Sequence, residues 1–249
     1  MFQKTVLQVA LVTLVLMSTH DASGQDRPRT LIGVSGAFQV PNTDFRDNVK
    51  FILNEEDGDL NADYQVGIGR SLDAELELRV WSGLMAGVNV SYFEKQGRVN
   101  VDARLPHPFL FNRHRGLVGE ADGIGHTELG VHMLAAWLMP LADRFDLLIS
   151  GGPSFVRARQ ALVEQVDFTE TFPFNSATFT GVSTTRMLGK SSFGMNAGAE
   201  LALRLNRHFG VDTRLRFIRA SVTFDSPDGG TVPVDVGGVQ LAGGLRMRF

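Results

Sequence analysis

Over long stretches of the chain, apolar side chains fall on every second residue. From Tyr64 to Val80 the even positions are Tyr64, Val66, Ile68, Leu72, Ala74, Leu76, Leu78 and Val80, with Arg70 the one interruption. The odd positions are Gln65, Gly67, Gly69, Ser71, Asp73, Glu75, Glu77 and Arg79. Successive side chains in a strand point to opposite faces, so this is a strand with one oily and one polar side. After a short turn at Trp81-Ser82-Gly83 the pattern resumes, with Leu84, Ala86, Val88, Val90 and Tyr92 opposite Gly87, Asn89 and Ser91. Two alternating runs joined by a few residues predict a hairpin.

The same grammar repeats downstream. Leu129, Val131, Met133, Ala135 and Trp137 oppose His126, Glu128 and His132, and Leu147, Ile149 and Phe155 oppose Asp146, Ser150 and Ser154. Phe193 through Leu205 then alternates against Asn196, Glu200 and Arg204, and Val211, Leu215 and Phe217 against Asp212, Arg214 and Arg216. At Phe217-Ile218 the parity slips, which predicts a β-bulge or the end of a lipid-embedded part. With a first strand near 30–40 and a last one at 234–249, the pattern predicts eight strands. Short turns near residues 82, 142 and 207 alternate with long connections at about 41–61, 97–122, 161–190 and 225–233. Short turns at one end and long loops at the other are the topology of a transmembrane barrel. Alternation alone does not say which face is inside; a soluble barrel or a periplasmic or secreted β-sandwich is the competing expectation.

Composition sharpens this. Hydrophobic residues make up 43% of the 249, yet after the N-terminal stretch no run is long enough for a spanning helix. A membrane protein without such a helix must be a closed barrel, which satisfies its own backbone hydrogen bonds. There are no cysteines, so disulfides do not staple the fold. A net charge of −3 argues against a nucleic-acid partner, which calls for a basic stripe. At the N-terminus, Lys4 precedes the apolar stretch Val6 to Met17 and the small residues Ala22-Ser23-Gly24. This reads as a signal peptide over 1–24, leaving 25–249 as the barrel domain.

The chain closes on Gly243-Gly244-Leu245-Arg246-Met247-Arg248-Phe249, an alternating strand ending in Phe. In this, in its hairpin pattern and in its leader, it resembles the small OmpA-like outer-membrane β-barrels, the outer membrane protein beta-barrel domain grouping. The resemblance implies an all-β, antiparallel up-and-down transmembrane β-barrel in the cell outer membrane. It implies an assembly signal at Leu245, Met247 and Phe249, read by the barrel assembly machinery, and contact with outer-membrane lipid and lipopolysaccharide. No cell-wall-binding domain is expected.

The candidate chemistry lies on the polar face: Glu75, Glu77, Arg79, His126, Glu128, His132, Glu200, Arg204, Asp212, Arg214, Arg216, Arg246 and Arg248. An eight-stranded barrel is just wide enough for side chains to fill, so these residues are expected to form an ion-paired plug. The functional expectation is therefore a structural or surface-interaction role. The alternatives are a narrow pore for small or hydrophobic solutes and a lipid-modifying enzyme. His126 and Glu128 share a face and could orient a base, but no nucleophile stands beside them in the pattern; no catalytic activity, cofactor or metal is expected. Asp57, Asp59, Asn61 and Asp63 resemble the first half of a calcium loop, yet Ala62 and Ile68 stand where Gly and Glu are required. Two aromatic loops, 105–113 and 172–179, are expected to pack on each other, or to meet a surface partner or lipid.

Overall fold

In the computed structural model, residues 28–226 and 229–249 are described; the expected signal peptide lies outside them. The described residues form ten antiparallel strands: β1 (Thr30–Pro41), β2 (Phe45–Leu53), β3 (Glu56–Gln65), β4 (Gly69–Trp81), β5 (Leu84–Pro106), β6 (His114–Ala142), β7 (Phe145–Glu170), β8 (Ala177–Arg204), β9 (Phe209–Asp225) and β10 (Thr231–Arg248). Eight of them close a ring in the order β1-β4-β5-β6-β7-β8-β9-β10, with β10 returning to β1. Closure leaves no sheet edge around the lower barrel. The last residue takes part: the Phe249 carbonyl accepts the Arg29 and Thr30 amides at 2.6 and 2.9 Å, and its own N–H donates to the Thr30 carbonyl at 2.9 Å.

In the lower half the wall is oily outside and polar inside. Phe38, Leu72, Leu78, Val90, Met133, Ile149, Leu215, Leu241 and Leu245 are exposed on the outer face, while the alternate residues are buried in the lumen. Two aromatic rows bound this belt, as interfacial girdles do in membrane barrels. Trp81, Trp137, Phe145, Phe209 and Phe249 lie at the short-turn end, and Phe38, Tyr92, Phe155, Phe193 and Phe217 about ten residues higher along the strands.

Above the upper row the two faces exchange character while the strands run on. Along β9, Leu215 and Phe217 face out and Arg214 and Arg216 face in; four residues later Arg219, Ser221 and Thr223 face out and Ile218, Ala220, Val222 and Phe224 face in. The ladders on both sides pass through Ile218 in regular register, so no bulge stands at Phe217-Ile218. The apparent slip is the strand leaving the oily medium. The upper interior is a hydrophobic core built from Val49, Leu60, Val101, Leu117, Leu162, Phe224 and Val234 with their neighbours.

The long connections thus turn out to be mostly strand. Residues 41–61 contain β2 and part of β3, a hairpin that continues the wall above β1 and β4 and pairs with upper β5. The run from Tyr64 to Val80 is broken at Val66-Gly67-Ile68, where Gly67 takes a φ of +69°. The break separates β3 from β4, so Tyr64 and Val66, expected on the oily outer face, are instead only 2% and 3% exposed in the upper core. Tyr64 stacks on Phe45 with ring centroids 4.5 Å apart, and its hydroxyl accepts the Val163 N–H at 2.8 Å. Burial pushes the Tyr64 hydroxyl above its usual pKa.

The medium on the outer face makes a direct prediction. Leu215→Arg, in the oily belt, is expected to cost about 2–4 kcal/mol of unfolding free energy in bilayers if it sits near the midplane. Thr223→Arg, on the same face of the same strand above the belt, should change it by no more than about 0.5 kcal/mol. Equal costs in urea titrations of the two vesicle-inserted variants would show that the belt does not face lipid. Tyr64→Phe should cost about 1–3 kcal/mol, because it leaves a buried N–H unpaired.

Candidate functional site: the filled lumen

Inward positions on all eight ring strands converge on one polar cluster. At its base, Arg246 on β10 reaches Glu200 at 2.5 Å, Glu75 at 2.8 Å and Glu77 at 3.6 Å. Arg214 on β9 reaches the other oxygens of Glu75 and Glu200 at 2.8 and 3.1 Å, with Asp212 at 4.0 Å. Two guanidiniums and two carboxylates therefore interleave across the barrel. Planar guanidinium forks suit this, since each can serve two carboxylates at once. Nearer the turn end, Asp146 holds Arg248 at 3.1 Å and Arg204 at 3.6 Å. Arg79 is half-buried close to the same end, while Arg204 faces a recess lined also by Leu31, Leu138, Asp146, Arg246 and Arg248.

Higher up, Arg216 binds Asp73, the Asn89 amide oxygen at 2.5 Å and Gln240 Oε1 at 2.7 Å. Gln240 passes the chain on by donating to Gln39 Oε1 at 2.6 Å, and Gln39 donates to Glu128 at 3.0 Å. Glu128 accepts the Gly237 N–H at 3.1 Å and lies 2.9 Å from His126 Nε2. The other ring nitrogen of His126 is 2.7 Å from Gln160 Oε1. Gly237 has a φ of +94°, and a Cβ there would stand 2.5 Å from the Ile218 carbonyl, so glycine alone lets the backbone turn its amide to Glu128. His132 sits apart, with Nε2 2.9 Å from Ser91 Oγ and Nδ1 2.8 Å from Ser154 Oγ.

Eleven of the thirteen residues picked from the pattern are buried in this lumen; Arg79 and Arg204 are half-buried at its lower rim. The thirteen leave out the neutral connectors Gln39, Asn89, Gln160 and Gln240 and the carboxylates Asp73 and Asp146, although alternation already puts Asp73, Asn89 and Asp146 on the polar face. Parity was the available signal for all but Gln160, since each of the others alternates with outward apolar residues while Gln160 follows the outward Arg159. Of the C-terminal trio, Leu245 and Phe249 are exposed on the outer face and Met247 is half-buried beside them.

The acidic run at 57–63 is no cation loop. It is strand β3, whose outward oxygens are taken up across strands, Asp63 by Arg46, Asn61 by Asn48 at 2.8 Å and Asp59 by Arg104 at 3.8 Å. Among the described residues no group of His, Asp and Glu is arranged to hold a metal. The two aromatic loops do meet, Phe109 against Phe174 at 5.4 Å and Phe174 against Phe172 at 6.0 Å. Buried Arg115 ties them together, pairing with Glu170 and donating to the Phe174 carbonyl at 3.0 Å. Phe109, Phe111 and Phe172 stay largely exposed at the tip.

No protein-family model matches the chain, and no curated protein sequence matches it. Among solved structures it is similar to the outer membrane protein OprG from Pseudomonas aeruginosa, at 13% identity and a TM-score of 0.52, covering 92% of this chain and 99% of that one. The fold is that of an outer-membrane β-barrel. Neisserial surface protein A aligns over 88% of this chain and 97% of its own at 11% identity and a TM-score of 0.49. The outer membrane protease OmpT of Escherichia coli aligns over 93% and 100% at 10% identity and a TM-score of 0.42.

The lumen cluster predicts a specific pattern of losses. Arg246→Met leaves Glu77 without a guanidinium and Glu75 and Glu200 with Arg214 alone, and should cost about 3–5 kcal/mol, as breaking one side of a buried pair does. Adding Glu200→Gln to it should recover part of that loss, read as a partial return of the urea midpoint. A double variant less stable than the single would mean that Glu200 is not held by Arg246.

Proposed function

We propose that this protein is a small, OmpA-like outer-membrane barrel that neither conducts nor catalyses, and that its role is structural or interactive at the cell surface. The observation that carries this reading is the filling of the interior at two levels. An ion-paired plug occupies the lumen within the lipid belt, and a packed apolar core occupies the barrel above it. A solute would have to break several guanidinium–carboxylate contacts and then displace close-packed side chains, each step costly.

Surface interaction fits the loop end. The β2–β3 turn, the β5–β6 loop and the β7–β8 loop are tied into one cap: Glu56 accepts the Asn112 N–H at 2.5 Å, His114 Nε2 is 3.0 Å from the Asp57 carbonyl, and Arg115 binds the β7–β8 loop. A rigid cap presenting Phe109, Phe111 and Phe172 is a preorganised apolar surface for a partner. In the membrane the partners of this reading are outer-membrane lipid and lipopolysaccharide around the belt, and the assembly machinery at Leu245, Met247 and Phe249.

A lipid-modifying enzyme is the less favoured reading. The Ser91-His132-Ser154 group offers a hydroxyl beside an imidazole, but all three side chains are buried inside the barrel. A substrate acyl chain lies on the opposite side of the wall.

The test is planar-bilayer conductance of the refolded protein. We expect a silent bilayer while the protein shows heat-modifiable gel migration, and no openings above background. Steady openings that change with Arg216→Ala or Glu75→Ala would establish a pore through the plug and overturn the proposal.

A further inference from the structure

Around the upper barrel most exposed guanidiniums have an acid beside them. Arg46 pairs with Asp63, Arg98 with Glu120 and Asp122, Arg104 with Asp59 and Arg186 with Glu164. Arg70 stands opposite Glu94 in the β4–β5 register. Apart from Arg113 on the β5–β6 loop, three others differ. Arg157 and Arg159 on β7 and Arg219 on β9 are exposed on the outer face, and none has an ion-pair partner among the described residues. The nearest outward acids are Glu94 on β5, two strands from β7 and engaged by the Tyr92 hydroxyl at 2.9 Å, and Asp235 on β10, diagonal to Arg219 in the β9–β10 register; neither forms an ion pair with the three.

Their height is the informative point. Phe155, Arg157 and Arg159 follow one another on the outer face of β7, and Phe217 and Arg219 do so on β9. The guanidiniums therefore begin one outward position above the upper aromatic row, where the oily medium ends. Between them the wall is notched. β8 pairs with β9 only up to Gly194 opposite Ala220, and above this β8 runs on with β7 alone, with Lys190 bridging to Asp225 at 2.9 Å. At the foot of the notch lie Phe193, 79% exposed and 5.3 Å from the Phe155 ring, and Met195, 67% exposed.

We propose that this face of β7, β8 and β9 binds the phosphate headgroup of an anionic lipid in the leaflet at the long-loop end. Arg157 and Arg159 stand on β7, one strand back from the notch, Arg219 stands opposite Met195 at its foot, and the acyl chains lie against Phe155, Phe193 and Met195. Guanidiniums bind phosphate oxygens through paired N–H donors, and unpaired ones beside an apolar surface select a ligand that is both anionic and oily. The inference rests on the reading of the chain as a membrane barrel.

The experiment uses the refolded barrel, with dioleoyl phosphatidic acid as probe and native mass spectrometry as readout. R157Q/R159Q/R219Q removes three charges without adding bulk, and heat-modifiable migration confirms that it folds. At about fivefold per basic residue near a lipid surface, the triple variant should bind the probe about a hundredfold more weakly. R46Q, which alters a paired guanidinium on β2, should bind as the wild type does. Undiminished binding by the triple variant overturns the site, as does equal binding of dioleoylglycerol, which lacks the phosphate. Displacement by inorganic phosphate at the probe's own concentration would make it a free-anion site and overturn the assignment to lipid. A wild-type chain that fails to insert into bilayers removes the barrel reading itself; one that inserts but shows no preference for the anionic probe removes this inference alone.

Discussion

Everything in this molecule depends on the pairing of β1 with β10, which turns a sheet into a ring. In lipid no water is available to the backbone, so an open edge would leave a row of amides and carbonyls unsatisfied at several kcal/mol each. The ladder runs from Leu31 opposite Arg248 to Pro41 opposite Gly238, and Phe249 extends it with three backbone hydrogen bonds to Arg29 and Thr30. Closure then fixes what the side chains must do. Every second residue faces a lumen too narrow for water to solvate charges freely, so each lumen charge must find its partner on another strand.

The plug answers that demand through long-range contacts. Glu75 and Arg246 are 171 residues apart in sequence, and Asp73 and Arg216 are 143 apart. Such bridges form only once the ring is closed, because the strands that carry them are brought together by the register of the whole barrel. The neutral side chains Gln240 and Gln39 join the charged lower tiers to Glu128 and His126, and Gln160 closes the chain on the far side of His126, just below the level where the interior becomes apolar.

The exchange of faces midway up the strands follows from the surroundings. Where lipid lies outside, the apolar residues turn outward and the polar ones are buried; where water lies outside, the same backbone carries the opposite arrangement. The upper barrel is thus folded like a soluble protein, with a core of aliphatic side chains and cross-strand ion pairs on its surface. That solidity gives the loop cap a rigid base and distinguishes it from loops that merely hang over a pore.

How much of this could be read from the chain follows from what alternation encodes. Parity along β6, β8 and β10 determined which residues share a face, and so assigned Glu128, Glu200, Arg246 and the outward Leu241 and Leu245 to opposite sides of one wall. The number of ring strands and the positions of the short turns were legible for the same reason, since a turn interrupts a two-residue period visibly. Parity carries no information about which medium lies on either side. The polar outer residues of upper β5 and upper β9 therefore read as loop or as a slip at Ile218, and Tyr64 read as lipid-facing although a single break at Gly67 turns it into the core. Which carboxylate meets which guanidinium, and how the wall opens between β8 and β9 above Gly194, were decided by the tertiary structure alone. Partners such as Glu75 and Arg246 lie more than a hundred residues apart, and only ring closure sets the distance between them.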